Sequence, residues 1–317
     1  MKSDGSSSRY SLWTNPVLRQ VILGCYDPSS SLSCLRGKCE LLEVILAKVI
    51  QAWEAHIDIE TRGMMRLRPR RHSSRQHIPG RLPKPAIFPE PWNEEETFHV
   101  NMMPFIMGDS TSLPPSCQRY STIIQACLDT NSGDEIGQVG YLTIHEGIVE
   151  AGTSQRRGGL HIEAGGGGRH FRMAEDFYWG AGRFEQHRIY GGIYMASTVA
   201  RSCRVYDVTI KKAHEVTGHL GDIEHLRGVL NKSDCCQFYP AKELFWITDR
   251  TPHESLPLET TQYRQYFRLV TSKVSYWFAD HSTPNPLGIQ PAAEIVHGSK
   301  FDAEVDAAVA PLQRIPF

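Results

Sequence analysis

Val139-Gly140-Tyr141-Leu142-Thr143-Ile144-His145 is where the chain changes texture. From here on, short β-branched and aromatic segments alternate with Gly, Pro and Asp clusters, the pattern of strands bounded by turns. Residues 189–197, 203–210, 243–248 and 263–277 read the same way. Residues 221–230 read as a short helix set between strands. Upstream, Leu41, Leu42, Ile45, Val49, Ile50 and Trp53 recur at helical spacing and predict a helix over residues 38–55. A second helix is expected over residues 118–128. Between the two helices, residues 62–92 are rich in Arg, and Pro69, Pro79, Pro83 and Pro85 forbid a long helix. That run reads as a solvated irregular segment, with a cationic rim for an anionic substrate as the alternative. Helices first and many short strands later predict a mainly β fold with flanking helices, a barrel or jelly roll.

No internal repeat and no clean linker divide the chain. Residues 1–15 are expected to be a disordered tail, and residues 16–317 a single domain: a helical and irregular part to about 135, then a β core over about 138–278. The 317 residues are 40% apolar with a formal charge of −1. That balance favours neither nucleic acid nor an anionic membrane as partner. No apolar run approaches the roughly 18 residues of a membrane span. The polar start lacks the apolar stretch of a secretory signal. Eight cysteines show no CxxC pairing. They read as reduced and structural, which points to the cytosol.

The chemistry-bearing residues fall in three separated pieces. His161-Ile162-Glu163 places an imidazole and a carboxylate two residues apart, on one face of an extended segment. Gly158 and Gly159 precede the pair and leave room for a sharp turn. His253 follows the apolar strand Leu244-Phe245-Trp246-Ile247, which is expected to deliver it at its rim. Two histidines and a carboxylate are the ligand set of the facial triad that holds non-haem ferrous iron with open positions. In the third piece, Arg264, Tyr266 and Arg268 share one face of a strand, so all three are expected to line one cavity.

These pieces resemble the double-stranded β-helix oxygenases that use ferrous iron and 2-oxoglutarate. Their pattern is His-x-Asp or His-x-Glu, a distal His, and an Arg on the last core strand. The resemblance covers mainly residues 138–278 and implies a jelly-roll core with His161, Glu163 and His253 as iron ligands. Arg264 and Arg268 follow His253 by 11 and 15 positions. In the family, notably its taurine-dioxygenase-like and clavaminate-synthase-like branches, an arginine about that far on binds the cosubstrate's far carboxylate. Arg268 is favoured for that role and Arg264 for substrate or a second cosubstrate contact. The resemblance implies O2-dependent oxidation of a C–H bond in a small organic substrate, with 2-oxoglutarate decarboxylated to succinate. The outcome can be hydroxylation, desaturation or ring formation, and specialised metabolism is a plausible setting. The chain departs from the usual pattern in carrying Glu163 where most members have Asp. The 92 positions between His161 and His253 also require an insert near 165–188 or 211–240.

Other groupings are weaker. His145 and Glu146 are adjacent, so they face opposite ways on a strand and chelate poorly. Asp222 and His225 share a helical face without a complementary set. Gly165 to Gly168 lack the phosphate-loop pattern. Tyr141, Thr143 and the Arg156-Arg157 pair are candidate substrate contacts by proximity in sequence. Two rivals stay open: a cupin-like metalloenzyme, isomerase or dioxygenase, that does not use 2-oxoglutarate, and a non-catalytic jelly-roll binding protein.

Overall fold

The computed structural model describes residues 84–91, 96–132, 134–164, 177–185, 188–210, 213–232 and 236–298. All of them belong to one of the chain's two units, Glu60–Phe317. The expected tail, the 38–55 helix, most of the Arg- and Pro-rich run and Gly165 to Gly168 lie outside the described residues.

The described chain is mainly β with few helices. Its strands are β1 (Phe98–Ile106), β2 (Val139–Val149), β3 (Arg183–Glu185), β4 (Arg188–Tyr190), β5 (Ile193–Ser197) and β6 (Cys203–Tyr206). They continue with β7 (Cys236–Phe238), β8 (Phe245–Ile247), β9 (His253–Ser255), β10 (Gln262–Val270), β11 (Tyr276–Phe278) and β12 (Glu294–Val296). A five-stranded sheet has the order β1-β2-β10-β5-β8, antiparallel throughout. A three-stranded antiparallel sheet has the order β7-β6-β9. From β5 onward the chain alternates between them: β6 and β7 in the small sheet, β8 in the large, β9 in the small, β10 in the large. No helix among the described residues is long and apolar enough to cross a membrane.

Both faces of the large sheet are covered, and the period of two decides which residue goes where. Leu142, Ile144, Phe267 and Leu269 pack against Ile123, Ile124 and Cys127 of the helix Ser121–Leu128. Their neighbours Tyr266, Val270, Ile193 and Met195 point the other way, toward Cys203 and Val205 of the small sheet. Polar residues on this second face therefore sit between the sheets rather than in solvent.

The strand pattern differs from the sequence reading in instructive ways. Residues 189–197 are two strands, because Gly191 and Gly192 turn the chain at φ 56° and 97°. A Cβ on Gly192 would lie 2.3 Å from the Trp246 Nε1, and that indole N–H donates to the Gly191 carbonyl at 2.7 Å. Residues 263–277 are likewise two strands, β10 and β11. Between them the Thr271 hydroxyl bonds the carbonyls of Gly180 and Gly192. The strand expected over 203–210 ends at Tyr206, and that over 243–248 is Phe245–Ile247. The helix expected over 118–128 begins at Ser121, after a separate turn Pro115–Gln118. That expected over 221–230 is a 3-10 turn, Glu224–Leu226, followed by the helix Arg227–Lys232.

β1 has no counterpart in the sequence reading. It carries Pro104 and a bulge between Val100 and Met103, where Met102 takes φ 48°. It lies at the edge of the sheet, where proline and bulges are tolerated.

Candidate metal centre

His161 and His253 come from distant parts of the chain and meet as a β-bridge. The His161 N–H donates to the His253 carbonyl at 3.0 Å, and the His253 N–H to the His161 carbonyl at 2.9 Å. Residues paired this way present their side chains on the same face, and the rings stand 4.5 Å apart. Two residues on, the backbone N–H groups of Glu163 and Ala164 both donate to the Asp249 carbonyl. That anchors the Glu163 carboxylate beside the rings. The ligating atoms of His161, Glu163 and His253 all lie within 4.8 Å of one another. The Glu163 Oε1 is 3.8 Å from the His253 Nε2. His253 is not at the rim of β8, as the sequence suggested. After a turn closed by Thr248 and Thr251 it opens β9, in the other sheet.

The protons of both rings are fixed by backbone. The His161 Nδ1 lies 2.7 Å from the Gly159 carbonyl, and the His253 Nδ1 2.9 Å from the Thr251 carbonyl. A carbonyl only accepts, so each Nδ1 carries the hydrogen and each Nε2 keeps a free lone pair. Burial holds both histidines below their ordinary pKa. For His161 the charges of His253 and Arg157 add to that effect, and Glu163 opposes it in both. Two neutral imidazoles with Nδ1 tied back, plus one carboxylate, fit a divalent transition metal.

Arg264, Tyr266 and Arg268 do share the inner face of β10, but they are not equivalent. The Arg268 Nη1 donates to the Glu163 Oε1 at 3.0 Å, and Arg268 lines the cavity above the triad. Arg264 is 0% exposed and does not line that cavity. Its Nε bonds the Ser197 hydroxyl and its Nη2 the Cys203 sulfur. Tyr266 lines the cavity, with Arg264 over its ring at 5.3 Å and Arg156 at 5.5 Å.

Arg157 lines the cavity, and its Nη1 bonds the Leu220 carbonyl. Thr143 and Tyr141 lie on the same inner face, opposite Arg268 and Val270. Their hydroxyls are used elsewhere. Thr143 accepts from the bulged Met102 N–H, and Tyr141 from the N–H groups of Ala292 and Ala293. Neither residue lines the cavity.

The cavity has a volume of about 270 Å³. Sequence reasoning missed several of its walls, His99 and Asn101 from β1, Met195 and Tyr239, and His281 also lines it. His99 and Asn101 alternate as strand residues do, so recognising β1 would have exposed both. His281 belongs to the dense polar turn after β11, which the Asn101 side chain ties to β1 through the His281 carbonyl. His145 also faces the cavity, 4.6 Å from His99. Burial first, and then His99 and Arg156, push its pKa down to about 4. Glu146 faces the other way, as adjacency predicts. Its buried carboxylate accepts from Tyr120, Tyr263, Gln265 and Arg119.

Among the described residues, His161, Glu163 and His253 are the one group of three or more His, Cys, Asp or Glu near enough to hold a metal. Asp222 meets His161 through a backbone bridge, and its carboxylate caps the Glu224 N–H. Cys117, Cys127 and Cys203 are buried free thiols. No protein-family model matches the chain, and neither a curated protein nor a solved structure resembles it significantly.

Proposed function

We propose that this protein is a non-haem iron(II)- and 2-oxoglutarate-dependent oxygenase acting on a C–H bond of a small organic molecule. The observation that carries the reading is the bridged pair His161 and His253, each with Nδ1 tied to a carbonyl, converging with Glu163 at a cavity. His161, Glu163 and His253 would hold the ion on one face and leave its other positions toward the cavity. Ferrous iron with 2-oxoglutarate supplies the oxidising chemistry: O2 is consumed, the cosubstrate is decarboxylated to succinate, and the substrate is oxidised.

The chain's own residues bind, orient and exclude water. Arg268 neutralises Glu163 at 3.0 Å. With Glu163 ligating a cation, the guanidinium keeps donors for a second carboxylate, and it alone of the two strand arginines reaches the cavity. That supports Arg268 as the contact to 2-oxoglutarate, with Arg264 behind it. Alternation of strands between two sheets supports the double-stranded β-helix as the core.

One observation favours a second reading, a cupin-like metalloenzyme without 2-oxoglutarate. The Arg268–Glu163 pair steadies the triad whether or not a cosubstrate binds. Succinate release from 2-oxoglutarate under O2 decides between them. It should depend on added iron, vanish in Glu163→Ala and His253→Ala, and need far more 2-oxoglutarate in Arg268→Ala. Unchanged turnover in the two ligand variants would sink the metal reading. An iron-loaded protein that never forms succinate would favour the second one.

A further inference from the structure

Arg156 lines the cavity, and the nearby charge of Glu163 is paired to Arg268 rather than to it. Among the described residues no hydrogen bond or ion pair engages its guanidinium, and its specific contact is the Tyr266 ring. Burial, and next the charge of Arg268, push its pKa down to about 10, which leaves it protonated at neutral pH. Arg264, also over the Tyr266 ring, has only neutral partners, and its Nη1 is buried with none. The acids nearby are already answered. Glu163 pairs with Arg268, and Glu254 with Arg204 and Arg227. His99 and His145, which also line the cavity, are held toward the neutral form.

Three guanidinium charges beside the cavity, Arg156, Arg264 and Arg157, whose hydrogen bond goes to the neutral Leu220 carbonyl, therefore have no ion-pair partner among the described residues. Buried charges are costly unless paired. Loading the site does not remove the excess, because a divalent metal and a dianionic cosubstrate cancel.

We propose that the substrate is a small organic carboxylate, held by the Arg156 guanidinium against the Tyr266 ring. A guanidinium matches a carboxylate with two parallel hydrogen bonds, and the Tyr266 ring 5.5 Å from the Arg156 guanidinium carbon backs it. The volume of about 270 Å³ lies just below the usual range of ligand pockets, roughly 300–1,000 Å³, so the acid is compact. The word substrate rests on the oxygenase reading above; the anion site does not.

The test is calorimetric titration of the full chain with hexanoate and its neutral isostere hexanamide. Both are run with the protein metal-free and with it loaded with Mn(II) and 2-oxoglutarate. Hexanoate should bind roughly ten- to hundredfold more tightly than hexanamide, the range of a hydrogen bond to a charged group. Arg156→Gln should erase that preference, and Arg156→Lys should retain part of it. The Mn(II)-dependent affinity for 2-oxoglutarate should stay within about threefold in both variants, a margin well under one tenfold step of affinity. Because no ion pair holds Arg156, Arg156→Gln should also melt no lower than the parent chain, whereas a structural arginine would lower the melting point. Equal binding of acid and amide overturns the proposal. So does loss of 2-oxoglutarate affinity in Arg156→Gln, which would assign Arg156 to the cosubstrate. An acid preference that persists while Mn(II) and 2-oxoglutarate fail to bind removes the oxygenase reading and leaves the anion site standing.

Discussion

A neutral imidazole offers a cation one lone pair, and its other nitrogen decides where that lone pair points. In both histidines here the Nδ1 bonds the carbonyl two residues earlier, Gly159 for His161 and Thr251 for His253. The rings are thus set by their own backbone. His161→Ala or His253→Ala should abolish stoichiometric binding of a divalent metal, measured by equilibrium dialysis. Glu163→Gln keeps the shape and removes the charge, so it should weaken binding while leaving the fold intact. His145 gives a pH prediction. Its pKa is about 4 in the folded chain against about 6.5 unfolded. Between those values the unfolded chain holds the extra proton, so stability is complete above the upper one and falls as pH drops. Asp249, raised to about 6 by burial, acts oppositely, losing stability as pH rises toward that value. His145→Leu should therefore shrink the drop in urea midpoint between about pH 7 and about pH 5. An unchanged drop would remove His145 from the explanation. At this scale the sequence was most legible where residues two apart converge: His161 with Glu163, and Arg264 with Tyr266 and Arg268 along β10. The difference between the two arginines was not legible, because it depends on Ser197, Cys203 and Glu163, which arrive from other strands.

At the scale of elements, β2 and β10 carry the site on one face and the core on the other. Glu146 shows how tightly the second face is held. It is 0% exposed, and Tyr120, Tyr263, Gln265 and Arg119 all donate to it. Glu146→Ala removes the buried carboxylate on which Arg119, the two hydroxyls and Gln265 converge. It should cost about 3–5 kcal/mol, as removing one partner of a buried pair does, read from urea unfolding. A loss below 1 kcal/mol would mean that the network is solvated. Gly192→Ala should be comparably damaging, since φ 97° and the Trp246 indole both exclude a side chain. The strands over 139–145 and within 263–277 were readable because β-branched and aromatic residues cluster there between Gly, Pro and Asp turns. β1 was not, because Pro104 and the Met102 bulge obscure its alternation. β9 is only three residues, and its partners are β6 and the single bridge at His161, neither of them near it in sequence.

For the molecule as a whole, the two sheets close on a cavity whose walls carry more positive than negative charge. Such a site is stabilised by what fills it. A ligand at about a hundredfold excess over its Kd adds about 2.7 kcal/mol, or roughly 5–10 °C in melting temperature for a domain of this size. Metal with 2-oxoglutarate should produce that rise in the parent chain and not in His253→Ala. The class of fold was legible from the switch in texture near residue 138. The interleaving of the sheets was not, because it is set by which strands pair across long separations. The most direct test of the central claim is an anaerobic titration of the full chain with Fe(II) and then 2-oxoglutarate, followed in the visible spectrum. The account predicts one equivalent of iron and a weak charge-transfer band that appears only when both are present. Absence of stoichiometric iron, or a spectrum indifferent to 2-oxoglutarate, would contradict it.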